Sequence, residues 1–372
     1  MTSTLLSPRQ WPAQAPSRLA VSPFVHVGPE RLYNPLADAF LAGDEAGHAE
    51  LRGLLTGSLA IEGIDPGLVE TLARDRWLLP EDHDAAHAYR LKFVSLEAHT
   101  ICNQACFFCP VSIAPRAKHF MSTELYERIL DQLAAHAATI EGVFMINYNE
   151  PTVDPRFVEQ VRSIRARCLP PAVLTNATGL TPRRVDELCE LGGLRYLSVN
   201  LSTLDRDKYR RERGTDQAEL VARHIDYAAN LPLAEYMEIV VLGEGDNEHE
   251  TAFAEIRSRY EGTRFQVVSR RLMDRAGYLE VGNTASLRGR RLGGCENSGS
   301  RPLQHLHITP YGKCVLCCED YDESYVVGDL SEQSLDQVLT SEEFARMRRW
   351  VYGVEEAPDD FMCRNCVFAL SR

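Results

Sequence analysis

Residues 93–109 read FVSLEAHTICNQACFFC. The first four of them, Phe93 to Leu96, form an apolar run with the length of a buried β-strand. Cys102, Cys106 and Cys109 follow within one short segment, in the order Cys-x3-Cys-x2-Cys. Because ligands of parallel α/β proteins bind beyond the carboxyl ends of the strands, this stretch predicts both a strand and the site beside it.

Five further apolar runs alternate with stretches of helical spacing, such as Leu125, Ile129 and Leu133 behind Ser122. The runs are 143–146, 172–175, 196–201, 237–242 and 265–269. Such an alternation predicts six βα units, a parallel sheet and right-handed crossovers. We therefore predict an α/β fold in which residues 91–280 form a partial (β/α)6 TIM-like barrel.

Two regions of different character flank the predicted barrel. Residues 1–90 begin with several prolines and contain two short amphipathic stretches, at 51–59 and 66–76, which predict a small helical domain. Residues 281–372 hold six of the 11 cysteines, and the pattern at 306–316 is typical of a β-hairpin. This last region is predicted to be a cysteine-rich auxiliary domain.

Composition limits the partners and the compartment. With 40 Lys and Arg against 53 Asp and Glu, the 372-residue chain has a formal charge of -13, so we expect neither nucleic acid nor a membrane surface as a partner. No apolar stretch reaches the ~18 residues of a membrane span, and no secretion signal is evident, which predicts a cytoplasmic protein. Thiols stay reduced there, so the cysteines indicate metal ligation or catalysis rather than disulfides.

The spacing of Cys102, Cys106 and Cys109 resembles that of the radical S-adenosylmethionine (radical SAM) superfamily. The resemblance implies that these thiolates hold three irons of a 4Fe-4S cluster, and that the fourth iron binds the amino and carboxylate groups of SAM. Phe108 matches the aromatic residue that lies against the adenine in that family. A structural zinc site is the alternative for the three cysteines, although zinc usually takes four ligands.

Three later stretches are similar to cofactor-binding motifs of the same family. Asn149 and Glu150 stand where the family has a Gly-Glu-Pro-like motif that binds the SAM amino group, with Asn149 in place of the glycine. Further implied cofactor contacts, at the ends of the third and fourth strands, are Thr175, Asn176, Ser198 and Asn200. The alternatives are helix capping by the first pair and ordinary strand-end hydrogen bonding by the last.

The C-terminal cysteines resemble the SPASM/twitch type of auxiliary region. That resemblance implies a second, auxiliary 4Fe-4S cluster held by Cys295, Cys314, Cys363 and Cys366. A zinc ribbon that uses Cys314, Cys317, Cys363 and Cys366 is the alternative, because paired Cys-x2-Cys knuckles suit tetrahedral zinc.

Cys317 and Cys318 are left over in this assignment. Cys318 is predicted to be catalytic, as a hydrogen-atom donor like the cysteine of radical SAM epimerases that this arrangement resembles. We choose it over Cys317 because strand alternation from a ligating Cys314 places Cys318 on the same face. Packing or an alternative ligand role remains open for both residues.

The family resemblance implies an oxidoreductase or epimerase that cleaves SAM to a 5'-deoxyadenosyl radical, with an external one-electron reductant such as flavodoxin or ferredoxin. The favoured substrate is a ribosomally synthesised peptide, matured by crosslinking or epimerisation, with residues 1–90 as a leader-binding domain. The alternative is dehydrogenation or epimerisation of a sugar or aminocyclitol in natural-product biosynthesis. A non-catalytic metal-binding or electron-transfer protein is the hypothesis from another class.

Overall fold

The computed structural model describes residues 18–372. Its strands are β1 (Leu19–Val21), β2 (His26–Val27), β3 (Arg31–Asn34), β4 (Ala39–Ala42), β5 (Leu78–Pro80), β6 (Phe93–Leu96), β7 (Gly142–Phe144), β8 (Pro171–Thr175), β9 (Leu194–Asn200), β10 (Ala234–Gly243), β11 (Phe265–Arg271), β12 (Leu292–Cys295), β13 (His305–Ile308), β14 (Lys313–Val315), β15 (Val326–Asp329) and β16 (Ala369–Ser371). Its α-helices are α1 (His48–Thr56), α2 (Pro66–Arg74), α3 (Thr123–Ala134), α4 (Phe157–Ala166), α5 (Pro182–Glu190), α6 (Arg206–Arg213), α7 (Ala218–Ala228), α8 (Asn247–Arg259), α9 (Arg301–Gln304), α10 (Leu335–Leu339) and α11 (Glu342–Val351).

The parallel strands β6 to β11 succeed one another in chain order across the central sheet. They are joined by α3, α4, α5, the pair α6 and α7, and α8, which confirms the predicted partial barrel. The sixth βα unit is incomplete, however, because residues 272–291 after β11 contain no helix. All six predicted strands are present, and the helix expected after the sixth is missing, since an apolar run predicts a strand but carries no information about the next element.

Part of the C-terminal region continues the barrel sheet, whereas β12 and β16 pair with each other in a separate two-stranded sheet. β13 pairs parallel to β6, and β14 and β15 extend the sheet antiparallel beyond it. The hairpin predicted at 306–316 is confirmed as β13 and β14. Its pairing with the first barrel strand joins segments about 210 residues apart, and such long-range pairing leaves no local signal in the sequence.

The N-terminal region contains the two predicted helices, α1 and α2, and also five short strands. β2, β3 and β4 form an antiparallel meander, and β1 pairs with β5. The prediction of a small helical domain therefore missed the strands, because strands of two to four residues show too few alternating positions to be recognised. A small apolar core of its own includes Leu32, Leu51, Leu72 and Trp77.

The same region is also firmly joined to the rest of the chain. The ring of Phe24 packs edge-on against Tyr352 of the C-terminal region, at 4.7 Å between centroids. Gln304 Nε2 donates to the Pro35 carbonyl at 2.8 Å, and Lys92 Nζ lies 2.7 Å from an oxygen of Asp38. Removing the N-terminal region would therefore expose apolar surface and unpair polar groups on the barrel side. Within residues 18–372, no helix has both the length and the apolarity needed to cross a membrane.

Candidate active site and auxiliary cysteine pocket

The loop after β6 carries Cys102, Cys106 and Cys109 with their thiols close enough to influence one another. Burial raises the pKa of Cys102 to about 12, and the charges of Glu150, Cys106 and Cys109 contribute further. Cys106 and Cys109 are joined by a backbone hydrogen bond of 3.0 Å from the Cys109 N–H. Buried thiols with a raised pKa stay protonated unless a metal cation displaces the proton, and iron displaces it when the thiolate becomes a ligand. The donor set therefore fits an iron-sulfur cluster.

Arg213, at the end of α6, connects several of the predicted site residues. Its Nη1 donates to Cys106 Sγ at 3.5 Å, and its guanidinium carbon lies 4.8 Å from the centroid of the Phe108 ring. Its Nη2 donates to Asn200 Oδ1 and to Ser202 Oγ. Sequence reasoning missed Arg213 because α6 is rich in charged residues, and only the tertiary contacts show that this one is buried.

Glu150 is buried at the carboxyl end of the sheet, and its two carboxylate oxygens accept different numbers of hydrogen bonds. Oε1 accepts from Thr152 N at 3.1 Å, Thr152 Oγ1 at 2.5 Å and Thr175 Oγ1 at 2.6 Å. Oε2 accepts only from Asn176 N, at 2.7 Å. Burial raises the pKa of Glu150, and these hydrogen bonds oppose the rise. Oε2 thus keeps capacity to accept from an ammonium, while Oε1 makes the capping contact that was the alternative.

The side chains of Asn149 and Asn176 form hydrogen bonds that stabilise the loops around Glu150. The Asn149 side chain accepts from Asn147 N at 3.2 Å and donates to the Met145 carbonyl at 3.4 Å, so it stabilises its own turn. Asn176 Nδ2 donates to Asn103 Oδ1 at 2.9 Å, which ties the end of β8 to the cysteine loop. Direct cofactor contact by Asn149 and Asn176 stays a prediction.

Ser198 lies inside the barrel on β9. Its Oγ donates to Glu238 Oε1 at 2.9 Å, and Tyr196 OH donates to the same oxygen at 2.5 Å. This is the strand hydrogen bonding named above as the alternative. Asn200 differs from Ser198, because it contacts Arg213 and through it the cysteine loop.

We predict that Glu150→Gln weakens SAM binding by about 1.5–3 kcal/mol, or roughly 10- to 150-fold in the dissociation constant, because a charge-assisted hydrogen bond is lost. Equilibrium binding to the iron-loaded protein measures this. Glu238→Gln, which changes another carboxylate inside the barrel, is the matched control and should keep normal affinity. Equal SAM affinity of the Glu150 variant and the wild type, at equal iron content, contradicts the assignment.

A second set of cysteines lines one pocket in the C-terminal region. Cys295, Cys317, Cys363 and Cys366 face about 380 Å³ of space free of atoms, part of it open to solvent. The pKa of Cys363 is raised well above its usual value by burial, and further by Cys366 and Cys295. Four thiols around one space match the donor set of a 4Fe-4S cluster.

Cys314 does not line that pocket, whereas Cys317 does. The pocket therefore favours Cys317 over Cys314, the residue on which both the predicted ligand set and the zinc ribbon relied. Cys314 is fully buried in β14, where the charge of Asp329 adds to the effect of burial in raising its pKa. Strand alternation from Cys314 does not continue to Cys317 or Cys318, because β14 ends at Val315. The argument that selected Cys318 by alternation fails for the same reason.

Cys318 nevertheless lies towards the barrel. Its carbonyl accepts from Tyr148 OH, and its Sγ lies 3.6 Å from Glu319 Oε1. Glu319 in turn pairs with Arg275 at 3.4 Å. The pKa of Arg275 is raised chiefly by Glu319, with smaller contributions from residues that include Cys318 and Cys109. Arg275 therefore lies within electrostatic range of Cys109 in the loop after β6 and of Cys318 beside the auxiliary Cys317, a convergence that no motif in the sequence indicated.

Comparisons with known proteins agree with this geometry. The model of the radical SAM superfamily matches residues 96–256, and that of the SPASM iron-sulfur cluster-binding domain matches residues 295–367. Together the two matches span well over half of the chain. They imply a SAM-binding 4Fe-4S cluster and auxiliary cluster binding. We predict that the two cysteine sets provide the ligands.

Individual relatives are more distant. The chain is 32% identical over 112 residues to the tungsten-containing aldehyde ferredoxin oxidoreductase cofactor-modifying protein of Pyrococcus furiosus, a match covering 30% of this chain and 31% of that protein. It is 22% identical to the S-adenosyl-L-methionine-dependent 2-deoxy-scyllo-inosamine dehydrogenase of Niallia circulans, over 73% of this chain and 91% of that enzyme.

A solved structure shares the fold across most of the chain. Streptococcus suis SuiB bound to its precursor peptide SuiA has a TM-score of 0.54 and 14% identity, over 89% of this chain and 90% of SuiB. The strand order, the cysteine loop after β6 and the two family matches lead to one assignment. This chain belongs to the radical SAM superfamily and carries a SPASM-type auxiliary region at its C-terminal end.

Proposed function

We propose that this radical SAM enzyme matures a ribosomally synthesised peptide, by crosslinking or epimerisation. The supporting observation is the extent of the fold shared with SuiB. The 282 residues from 91 to 372 are about 76% of the 372-residue chain, whereas the shared fold spans 89%. The likeness must therefore extend into the N-terminal region, which favours a protein that binds a precursor peptide as SuiB does.

The N-terminal region has a surface suited to an extended peptide. β4 is the outer strand of the β2–β3–β4 meander, so one of its edges has no strand partner within residues 18–372. Phe40 on this strand is 54% exposed and stacks on Tyr33 at 4.5 Å. A peptide that adds a strand to a sheet edge gains main-chain hydrogen bonds, and exposed apolar side chains supply its anchoring contacts. A leader segment would bind here.

The chemistry takes place between the two cysteine sets. When bound, SAM and a reduced 4Fe-4S cluster would supply the radical chemistry that removes a hydrogen atom from a substrate C–H bond, with the electron delivered by an external carrier such as flavodoxin or ferredoxin. The chain's own residues position SAM, through Glu150 and Phe108, and exclude water from the substrate. Arg275 and Glu319 are charged groups beside Cys318, where they would orient polar groups of the substrate.

To test the peptide proposal, we would assay precursor peptides encoded beside the gene for binding and modification. Phe40→Asp is expected to weaken binding at least tenfold, about 1.4 kcal/mol, because it removes an apolar anchor from the docking strand. Formation of 5'-deoxyadenosine without peptide should be unchanged. Tyr236→Asp is the matched control, since Tyr236 is a 61% exposed aromatic on the barrel. Equal binding by the Phe40 variant, or no peptide modified by the wild type, contradicts the proposal.

If the outcome is epimerisation, Cys318 is the proposed hydrogen-atom donor. Turnover in deuterated water should place one deuterium at the inverted carbon, because a thiol exchanges its proton with solvent before it donates. Cys318→Ala should form 5'-deoxyadenosine but accumulate uninverted or oxidised products, whereas Cys189→Ala, a cysteine on α5, should behave as wild type. Normal labelled product from Cys318→Ala eliminates this role.

A second candidate function is dehydrogenation or epimerisation of a sugar or aminocyclitol. The sequence match to the Niallia dehydrogenase, which covers 91% of that enzyme, favours it. Incubating the reduced enzyme and SAM with the small-molecule fraction of a cell extract separates the two functions. A small molecule that loses two hydrogens for each 5'-deoxyadenosine formed supports this candidate and counts against the peptide.

A further inference from the structure

Arg301 is a cation at the wall of the auxiliary pocket. It lines the pocket together with Cys295, Cys317, Cys363 and Cys366. Within the described residues, no carboxylate forms an ion pair with its guanidinium. Its Nε is buried and has no hydrogen-bond partner there. A largely desolvated guanidinium without an ion-pair partner is costly, and an anion held in the pocket would supply that partner.

The groups that do contact Arg301 are neutral and hold it in place. Nη1 donates to His305 Nδ1 at 3.0 Å and lies 3.4 Å from His307 Nε2, and Nη2 donates to Asn297 Oδ1 at 3.3 Å. In these contacts the ring nitrogens of both histidines face the guanidinium, which can only donate. His305 Nε2 in turn donates to Ser95 Oγ at 3.0 Å. Barrel and auxiliary residues therefore fix Arg301 together.

The charge of the pocket's expected occupant supplies the missing partner. Four thiolates and four sulfides give a 4Fe-4S cluster a net negative charge, and one-electron reduction makes it more negative by one unit. A fixed cation at the pocket wall stabilises the reduced form more than the oxidised form, because its attraction grows with the charge of the cluster. The charge and hydrogen bonding around a cluster are known determinants of its reduction potential.

We propose that Arg301 is the counter-charge of the auxiliary cluster and raises its reduction potential, which makes the cluster a better electron acceptor. Arg301 is then a positioning and tuning residue that does not itself touch the substrate. The proposal rests on the ligand set Cys295, Cys317, Cys363 and Cys366, and it is independent of whether the substrate is a peptide or a small molecule. Its failure and that of the proposed function are therefore distinguishable.

The test is a redox titration of the full-length, iron-loaded chain in which Cys102, Cys106 and Cys109 are Ala, so that only the auxiliary cluster gives a signal. The reduced fraction is followed by electron paramagnetic resonance. At the ambient potential where the parent is half reduced, Arg301→Gln should have a ratio of reduced to oxidised cluster about tenfold lower, equivalent to about 59 mV for a one-electron couple. Arg301→Lys should stay within threefold of the parent, because the charge is kept.

Arg195→Gln is the matched control, because it removes the same charge from an exposed surface pair with Glu235. It should leave the ratio unchanged. An Arg301→Gln cluster with the parent's ratio at full iron content overturns the proposal, and so does an Arg301→Lys cluster shifted as far as Arg301→Gln. If Arg301→Gln takes up no iron, the iron content of Arg301→Lys decides the outcome. Normal iron content in Arg301→Lys supports the counter-charge role, and loss of iron in both variants rejects it.

Discussion

Replacing Cys102, Cys106 and Cys109 together with Ala should abolish SAM cleavage and halve the iron content. The wild-type protein reconstituted without oxygen is expected to hold about eight irons and eight sulfides, and the triple variant about four of each, because one of two 4Fe-4S sites is lost. The remaining cluster lies in a pocket built from other elements, so the variant should stay folded. Metal analysis and quantification of 5'-deoxyadenosine measure the two effects.

Cys168→Ala is the control for this experiment, since Cys168 is an exposed cysteine outside both sets. It should keep full iron content and full cleavage. Residual 5'-deoxyadenosine in the triple variant contradicts the assignment of the cysteine loop. A wild-type protein with four irons and one zinc contradicts the auxiliary 4Fe-4S cluster instead, so the two assignments fail separately.

Cys317→Ala and Cys314→Ala should have opposite consequences although the two residues are three positions apart. Cys317→Ala removes a thiolate from the auxiliary pocket and is expected to cost about four irons. Cys314→Ala leaves the pocket intact, and it should keep all the iron while losing about 1 kcal/mol of unfolding free energy, because it leaves a small cavity in the core.

Iron analysis of the two variants, together with their thermal unfolding, decides between the two ligand sets. If Cys314→Ala loses four irons and Cys317→Ala keeps them, the ligand set derived from the pocket is wrong and the set expected from spacing is right. Both variants should still cleave SAM without substrate, because Cys102, Cys106 and Cys109 are unchanged.

The sequence alone determined the features that depend on neighbouring residues. Apolar runs bounded by turn residues predicted β6 to β11, since a buried parallel strand reads as a short continuous apolar segment. The three cysteines that follow β6 indicated an iron site from the sequence alone, because all three ligands lie in one loop. Glu150 likewise comes soon enough after β7 for its position to be read from the chain.

The tertiary structure decided what depends on segments that are distant in sequence. The spacing of the cysteines could not show whether Cys314 or Cys317 belongs with Cys295 in the auxiliary ligand set. That choice depends on β14 ending at Val315 and on which of the two residues lines the pocket with Cys295. The burial of Arg213 against Cys106, and the position of Arg301 between the barrel and the auxiliary pocket, likewise arise only from folding. A charged side chain reads as solvated surface until packing removes it from water, and its partners here come from elements that share no local pattern.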